Sequence, residues 1–219
     1  MIERNKRKTA VGWTFILELI LINPLSTKCL ATSLMALYKY EMGLCLNTMK
    51  DKGANSRADD QSYVIRPIQA QDRDRIIALF AHLSPQSRYL RFAHAISKLP
   101  DAFLDDILEL DYQKEMALVA ILRTATAQEE IIGMARYVTA PNTLVCEFSL
   151  SVADQYTSHG IGTQLMLALI ANAKDNGLQE MIGYVLKRNP KMLGLVNELG
   201  FTINHLDDDP DFKKVSLIL

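Results

Sequence analysis

Residues 143–170, TLVCEFSLSVADQYTSHGIGTQLMLALI, constrain the fold more than any other part of the chain. Residues 143–152 read as a strand, with Val145, Phe148, Leu150 and Val152 among its apolar positions. A turn with two glycines follows and opens onto a helix from about Gly160, in which Ile161, Leu165, Leu169 and Ala173 recur every four residues and line one face. Such a turn leaves backbone N–H groups unpaired at the helix N-terminus. The helix dipole behind them amounts to roughly half a positive charge, so the turn forms an anion site. Gly160 and Gly162 carry no Cβ to hold a phosphate off the backbone. One acid, Glu147, interrupts the apolar strand. The segment is thus expected to grip a phosphorylated ligand beside a strand that carries a base.

Bulk properties narrow the classes. With 219 residues the chain can bury a full core as one domain plus an extra segment. Residues 1–60 hold 9 Lys and Arg against 6 Asp and Glu, and residues 61–219 hold 15 against 19. A mildly acidic main domain argues against nucleic acid as its partner. Cys29, Cys45 and Cys146 have no paired spacing, and His82, His94, His159 and His205 are scattered, so no metal site is expected.

Residues 1–61 read as an atypical N-terminal extension and residues 62–219 as the main domain. The basic start (Arg4, Lys6, Arg7, Lys8) precedes an apolar run over residues 11–22, interrupted by Glu18 and followed by Pro24. Three readings stay open: translation beginning later at Met35, Met42 or Met49, a helical extension or anchor touching a membrane through residues 10–25, and an export signal with a small residue at Ala31. As a span the run is short, since about 20 apolar residues are needed and a mid-span acid is costly. A cytoplasmic protein is the expectation.

Along residues 61–219 the pattern predicts a strand at 63–68 and a helix from Asp72 to His82. A second helix runs from Ser84-Pro85 through about His94, and a third spans 101–110. Strands follow at 115–122 and 131–137, and Pro141-Asn142 turns the chain into the glycine-loop strand. After the long helix come a strand at 181–186, with Gly183 marking a kink or splay, and a helix at 189–199 stopped by Gly200. A hairpin of residues 201–204 and 214–218 closes the chain. The expected architecture is α/β: one mixed, mostly antiparallel sheet with helices on both faces.

This order resembles the GNAT superfamily of N-acetyltransferases over roughly residues 62–219. Thr157-Ser158-His159-Gly160-Ile161-Gly162 fills the family's pyrophosphate motif, with Thr157 standing where Gln or Arg is usual. Asn189, Met192-Leu193 and Leu199-Gly200-Phe201 are similar to its late helix and strand. The stretches LSPQSRYLRF (83–92) and DYQKEMALVA (111–120) resemble the acetyltransferase domain of Pat-type bacterial protein lysine acetyltransferases. The resemblance implies acetyl-CoA as acyl donor and no metal. Backbone groups of Leu150 and Val152 would pair with the pantetheine. N–H groups of His159, Gly160, Ile161, Gly162 and Thr163 would hold the pyrophosphate, and Asn189 would contact the arm. It also implies a primary amine as acceptor, a protein lysine among the options.

Acyl transfer to an amine needs the free base. Neutralising a lysine with a pKa near 10.4 costs roughly 4–5 kcal/mol at pH 7. A placed carboxylate typically contributes about 10²–10⁴ in rate. Glu147, mid-strand among apolar residues, is the expected general base, and the Pat-type enzymes place a glutamate at the matching position. A solvated sheet face is its bland alternative. Where many family members carry a Tyr on the last helix to protonate the leaving thiolate, this chain has Val196; Tyr184 reads as packing, so no general acid is assigned. Cys146 points to the face opposite Glu147 in a regular strand, which argues against an acyl-cysteine route and for direct attack. Arg88, Tyr89, Arg91 and Phe92 shape either an acceptor site or an amphipathic face. Asp111 and Glu115 either greet a cationic lysine acceptor or form a solvated loop. The rival function is an acyl-CoA sensor using the same cleft without turnover. A dinucleotide fold is disfavoured because Leu165 occupies the third glycine position, and a P-loop lacks its Gly-Lys-Ser/Thr.

Overall fold

A computed structural model describes residues 63–123 and 128–219. The expectations about residues 1–61, including the late starts and the anchor, lie outside the described residues. Among the described residues no helix is long and apolar enough to cross a membrane.

Twelve elements follow one another in the predicted order. They are β1 (Tyr63–Pro67), α1 (Arg73–Ala81), α2 (Pro85–Phe92), α3 (Asp101–Leu108), β2 (Glu115–Arg123), β3 (Glu129–Thr139), β4 (Val145–Val152), α4 (Ile161–Asp175), β5 (Glu180–Leu186), α5 (Pro190–Glu198), β6 (Thr202–His205) and β7 (Phe212–Ile218). The strands form one sheet in the order β1-β2-β3-β4-β5-β7-β6. Every neighbouring pair is antiparallel except β4 and β5.

Two apolar cores sandwich the sheet. Leu165, Met166 and Leu169 of α4 pack with Met116, Tyr137, Cys146, Phe148 and Val196 on one face. Ile76 and Phe80 of α1, Phe92 of α2 and Leu104 and Ile107 of α3 pack with Val119 and Met134 on the other. Helices on both faces of a mixed sheet are what the period-2 and period-3.6 patterns require.

Among the boundaries that move, two have clear local reasons. α2 stops at Phe92 rather than His94, because Ala93 adopts a left-handed conformation (φ 57°) and its N–H caps the carbonyl of Tyr89. Phe92 then turns into the core, edge-on to Phe80 and Phe103 at 5.9 Å each. β4 starts at Val145 rather than at 143, because Thr143 closes the turn on Ala140: its N–H donates to the Ala140 carbonyl at 3.2 Å and its hydroxyl at 2.9 Å.

The parallel pair is the feature that makes a site. β4 and β5 are in register only over Val145↔Glu180, Cys146↔Met181 and Glu147↔Ile182. β5 continues to pair with β7 through Leu186, and β4 continues to pair with β3 through Val152, so past Glu147 the two strands diverge. Phe148 drives the split. A Cβ at Gly183 would lie 2.5 Å from Phe148 Cε1, so the ring occupies the space where a β5 side chain would otherwise stand. Phe201 holds that ring edge-on at 5.3 Å. Gly183 thus marks a splay, as its sequence context suggests.

Candidate active site

The wedge between β4 and β5 opens into a cleft of about 1240 Å³, walled by α2, the loop before α4 and the start of α5. Its lining includes Glu147, Leu150, Val152, Gly160, Gly162, Thr163 and Asn189. The sequence therefore placed seven of its nine site residues on one cavity wall. The side chains of the other two turn away: Ile161 is buried in the α4 core, and His159 Nδ1 lies 2.9 Å from the Thr157 carbonyl in an exposed loop. Ile161 can offer a ligand its backbone only.

Past Glu147, the edge of β4 that faces β5 has no ladder partner. Residues 148–152 therefore present strand backbone to the cleft, as an extended ligand arm needs. α4 begins after Gly160, which sits at φ 79°, and no side chain caps its first turn. The first backbone bond into the helix runs from Gln164 N–H to the Gly160 carbonyl at 3.0 Å, so the amides before it point out of the helix end. A Cβ at Gly160 would meet nothing within 4 Å, so the requirement there is backbone conformation. At Gly162 it is packing: a Cβ would come within 3.2 Å of Leu195 and 3.3 Å of Leu150. Asn189 caps α5, its Oδ1 accepting from Met192 N–H at 3.1 Å, which leaves its Nδ2 donors for the cleft. Uncapped amides, an unpaired strand edge and an amide donor around one cleft fit a long ligand with phosphates at one end.

Glu147 lies at the closed end of the wedge, half-buried, on the face opposite Cys146. Burial pushes its carboxyl up to about 7, against the pull of the Arg91 cation. Arg91, at the end of α2, is itself pushed down to about 10 by burial and by neighbouring Arg136, yet keeps its charge at neutral pH. Arg136 is neutralised, donating to Asp106 at 2.8 Å and to Glu115. Glu115 is thus engaged within the structure, and Asp111 pairs with Lys114 at 2.8 Å. Cys146 is fully buried and its thiol is pushed up to about 12 by burial, so no thiolate nucleophile is present. Tyr184 lines the same cleft; burial, with Glu147 nearby, raises its pKa and keeps it protonated. Val196 is fully buried in the core.

Sequence reasoning missed the strut that holds α2 against the cofactor side. Asp154, two residues past β4, accepts from Ser84 N–H at 2.8 Å and from Ser87 Oγ at 2.6 Å. Burial opposes its charge, but these bonds outweigh it and hold the carboxyl below its ordinary range. Nothing local in the sequence links positions 70 residues apart. The N-cap role of Ser84, which accepts from Ser87 N–H at 3.2 Å, was the available hint. In the 83–92 stretch, Arg91 and Phe92 line the cleft, whereas Arg88 stacks on Phe80 at 4.4 Å. Tyr89 carries Arg188, which stacks at 4.7 Å and donates to its hydroxyl at 2.8 Å. Among the described residues no cluster of His, Cys, Asp or Glu could hold a metal.

Residues 78–201 match the acetyltransferase (GNAT) family, and the chain belongs to that family. It is 33% identical over 159 residues to an acetyltransferase of Pseudomonas aeruginosa, covering 73% of this chain and 85% of that one. It is 31% identical over 139 residues to acetyltransferase Pat of Mycolicibacterium smegmatis, covering 63% of this chain and 40% of that protein. The crystal structure of the GNAT domain of S. lividans PAT superposes with a TM-score of 0.64 at 22% identity, covering 75% of this chain and 100% of that one. YncA from Salmonella typhimurium, solved with its cofactor acetyl-CoA, superposes with a TM-score of 0.57 at 18% identity, covering 72% of this chain and 94% of that one. These last two likenesses establish the fold.

Proposed function

We propose that residues 62–219 catalyse transfer of the acetyl group of acetyl-CoA to a primary amine, with Glu147 as general base, in the cytoplasm. The acceptor class implied by the Pat resemblance is a protein lysine. Support for acetyl-CoA comes from family membership and from its presence in a structure of the same fold. Support for Glu147 comes from its position where the β4–β5 ladder ends, with a carboxyl poised near neutrality. A base of pKa about 7 is about half ionised near pH 7 and basic enough to take a proton from an ammonium as it reacts.

In this reading Glu147 accepts one proton from the acceptor nitrogen, directly or through a water. The nitrogen forms the C–N bond as the C–S bond breaks, and its second proton passes to the departing sulfur, so the coenzyme leaves as its thiol. The strand edge over residues 148–152 and the Asn189 amide orient the arm, and the loop amides from 159 to 163 hold the pyrophosphate. Arg91 keeps Glu147 from drifting further upward in pKa, so it acts on the base and not on the substrate.

The test is thiol release from acetyl-CoA with a panel of amines and lysine-bearing proteins. Glu147→Gln should lower kcat by about 10²-fold or more while leaving coenzyme A affinity nearly intact. Unchanged turnover would remove Glu147 from the mechanism. Saturable binding without thiol release for every acceptor would favour the sensor.

A further inference from the structure

We infer that Lys191 supplies to the pyrophosphate of the acyl-CoA the positive charge that the motif lacks at Thr157. This inference rests on the acyl-CoA reading above. It begins from the departure at position 157, where a short hydroxyl side chain replaces a long polar or cationic one. The Thr157 hydroxyl donates to the Asp154 carbonyl at 2.9 Å, which folds it back into its own loop. Its oxygen then accepts a hydrogen bond at 3.4 Å from Lys191 Nζ, which arrives from across the cleft on α5.

Three features indicate that this ammonium waits for an anion. First, Lys191 is the second residue of α5, behind Pro190. A cation in a helix's first turn opposes the dipole by about 0.3–1 kcal/mol, so the position has no stabilising role by itself. Second, among the described residues Lys191 forms no ion pair. The carboxylate of Asp154, which accepts from Ser84 and Ser87, feels its charge but does not pair with it. Third, Lys191 lines the same cleft as Thr157, Ser158, Gly160 and Gly162, the loop whose outward amides form the anion site. An ammonium on one side and a ring of amides on the other would clamp a diphosphate between them. Lysine suits this role as a mobile point charge that needs no planar geometry.

The test is calorimetric titration of coenzyme A and of dephospho-coenzyme A, which keeps the pyrophosphate and lacks the 3′-phosphate. Lys191→Met should weaken both ligands by about tenfold, as expected for one solvent-facing charge-assisted contact. Lys191→Arg should retain most of the affinity. Thr157→Arg placed in the Lys191→Met background should recover it, by returning charge from the motif's own position. Equal affinity of Lys191→Met and wild type for coenzyme A overturns the inference. So does a penalty that vanishes with dephospho-coenzyme A, which would assign Lys191 to the 3′-phosphate. Failure of the wild-type protein to bind coenzyme A at all would instead remove the acyl-CoA reading.

Discussion

On the α4 side of the sheet, β3 and β4 present Tyr137, Cys146 and Phe148 to an apolar core, in which the Tyr137 hydroxyl donates to Asn172 at 2.8 Å and accepts from Asn176 at 3.2 Å. On the α2 and α3 side the same strands present Arg136 and Glu147, ringed by Arg91, Asp106 and Glu115. Successive side chains of a strand point to opposite faces, so residues one position apart live in different solvents. Cys146 and Glu147 are neighbours on one strand and both desolvated, yet one is an enclosed core thiol and the other a half-buried carboxyl with a pKa of about 7. Burial acts on both by penalising the charged form. What differs is the company: Glu147 faces a cleft and a cation, whereas Cys146 faces hydrocarbon.

The largest break in this arrangement should come from Gly183→Val. The added side chain would collide with Phe148, whose ring is pinned by Phe201, and either the splay or the core must yield. Overpacking of this kind costs about 1–3 kcal/mol. A lower melting temperature should accompany loss of acetyl transfer. Adding Phe148→Leu should restore part of the melting temperature, and a variant as stable and active as wild type would detach the wedge from the Phe148–Gly183 contact.

A smaller effect is expected from Arg91→Met. In the wild type, kcat/KM should rise with pH through about 7 as Glu147 ionises. Arg91 lowers that pKa, so its removal should move the rising limb to higher pH. Activity should fall several-fold near pH 6.5 and return towards wild type above about pH 9. A pH profile unchanged in position would show that Arg91 does not tune the base.

The smallest effect should follow Cys146→Ala on the dry face. Its thiol is kept protonated and enclosed, so turnover should be unchanged, with a stability loss of about 1 kcal/mol from the small void. A drop in kcat of tenfold or more would reopen an acyl-cysteine route.

Local patterns carried much of the fold and of the cleft's lining. Residues 143–170 announced a strand, a glycine turn and a helix because each is written in a short period: alternation, paired glycines, then apolar residues every four positions. Gly183 announced the splay because a glycine inside a strand needs a reason. The acceptor side was far less legible. In the sequence Arg91 is only one member of an ambiguous amphipathic face, and its proximity to Glu147 depends on how α2 lies over β4. Asp154 reaches Ser84 and Ser87 across 70 and 67 positions, and Lys191 reaches Thr157 across 34.

By itself, then, the sequence determined the elements, their order, the glycine turn and the one acid set in an apolar strand, because backbone conformation and facial periodicity are short-range properties. Tertiary structure decided which charges meet: the cation beside Glu147, the strut from Asp154 to α2 and the lysine across the glycine turn. Electrostatics and hydrogen bonding depend on distances through space, and those distances exist only once the sheet has twisted and the helices have docked.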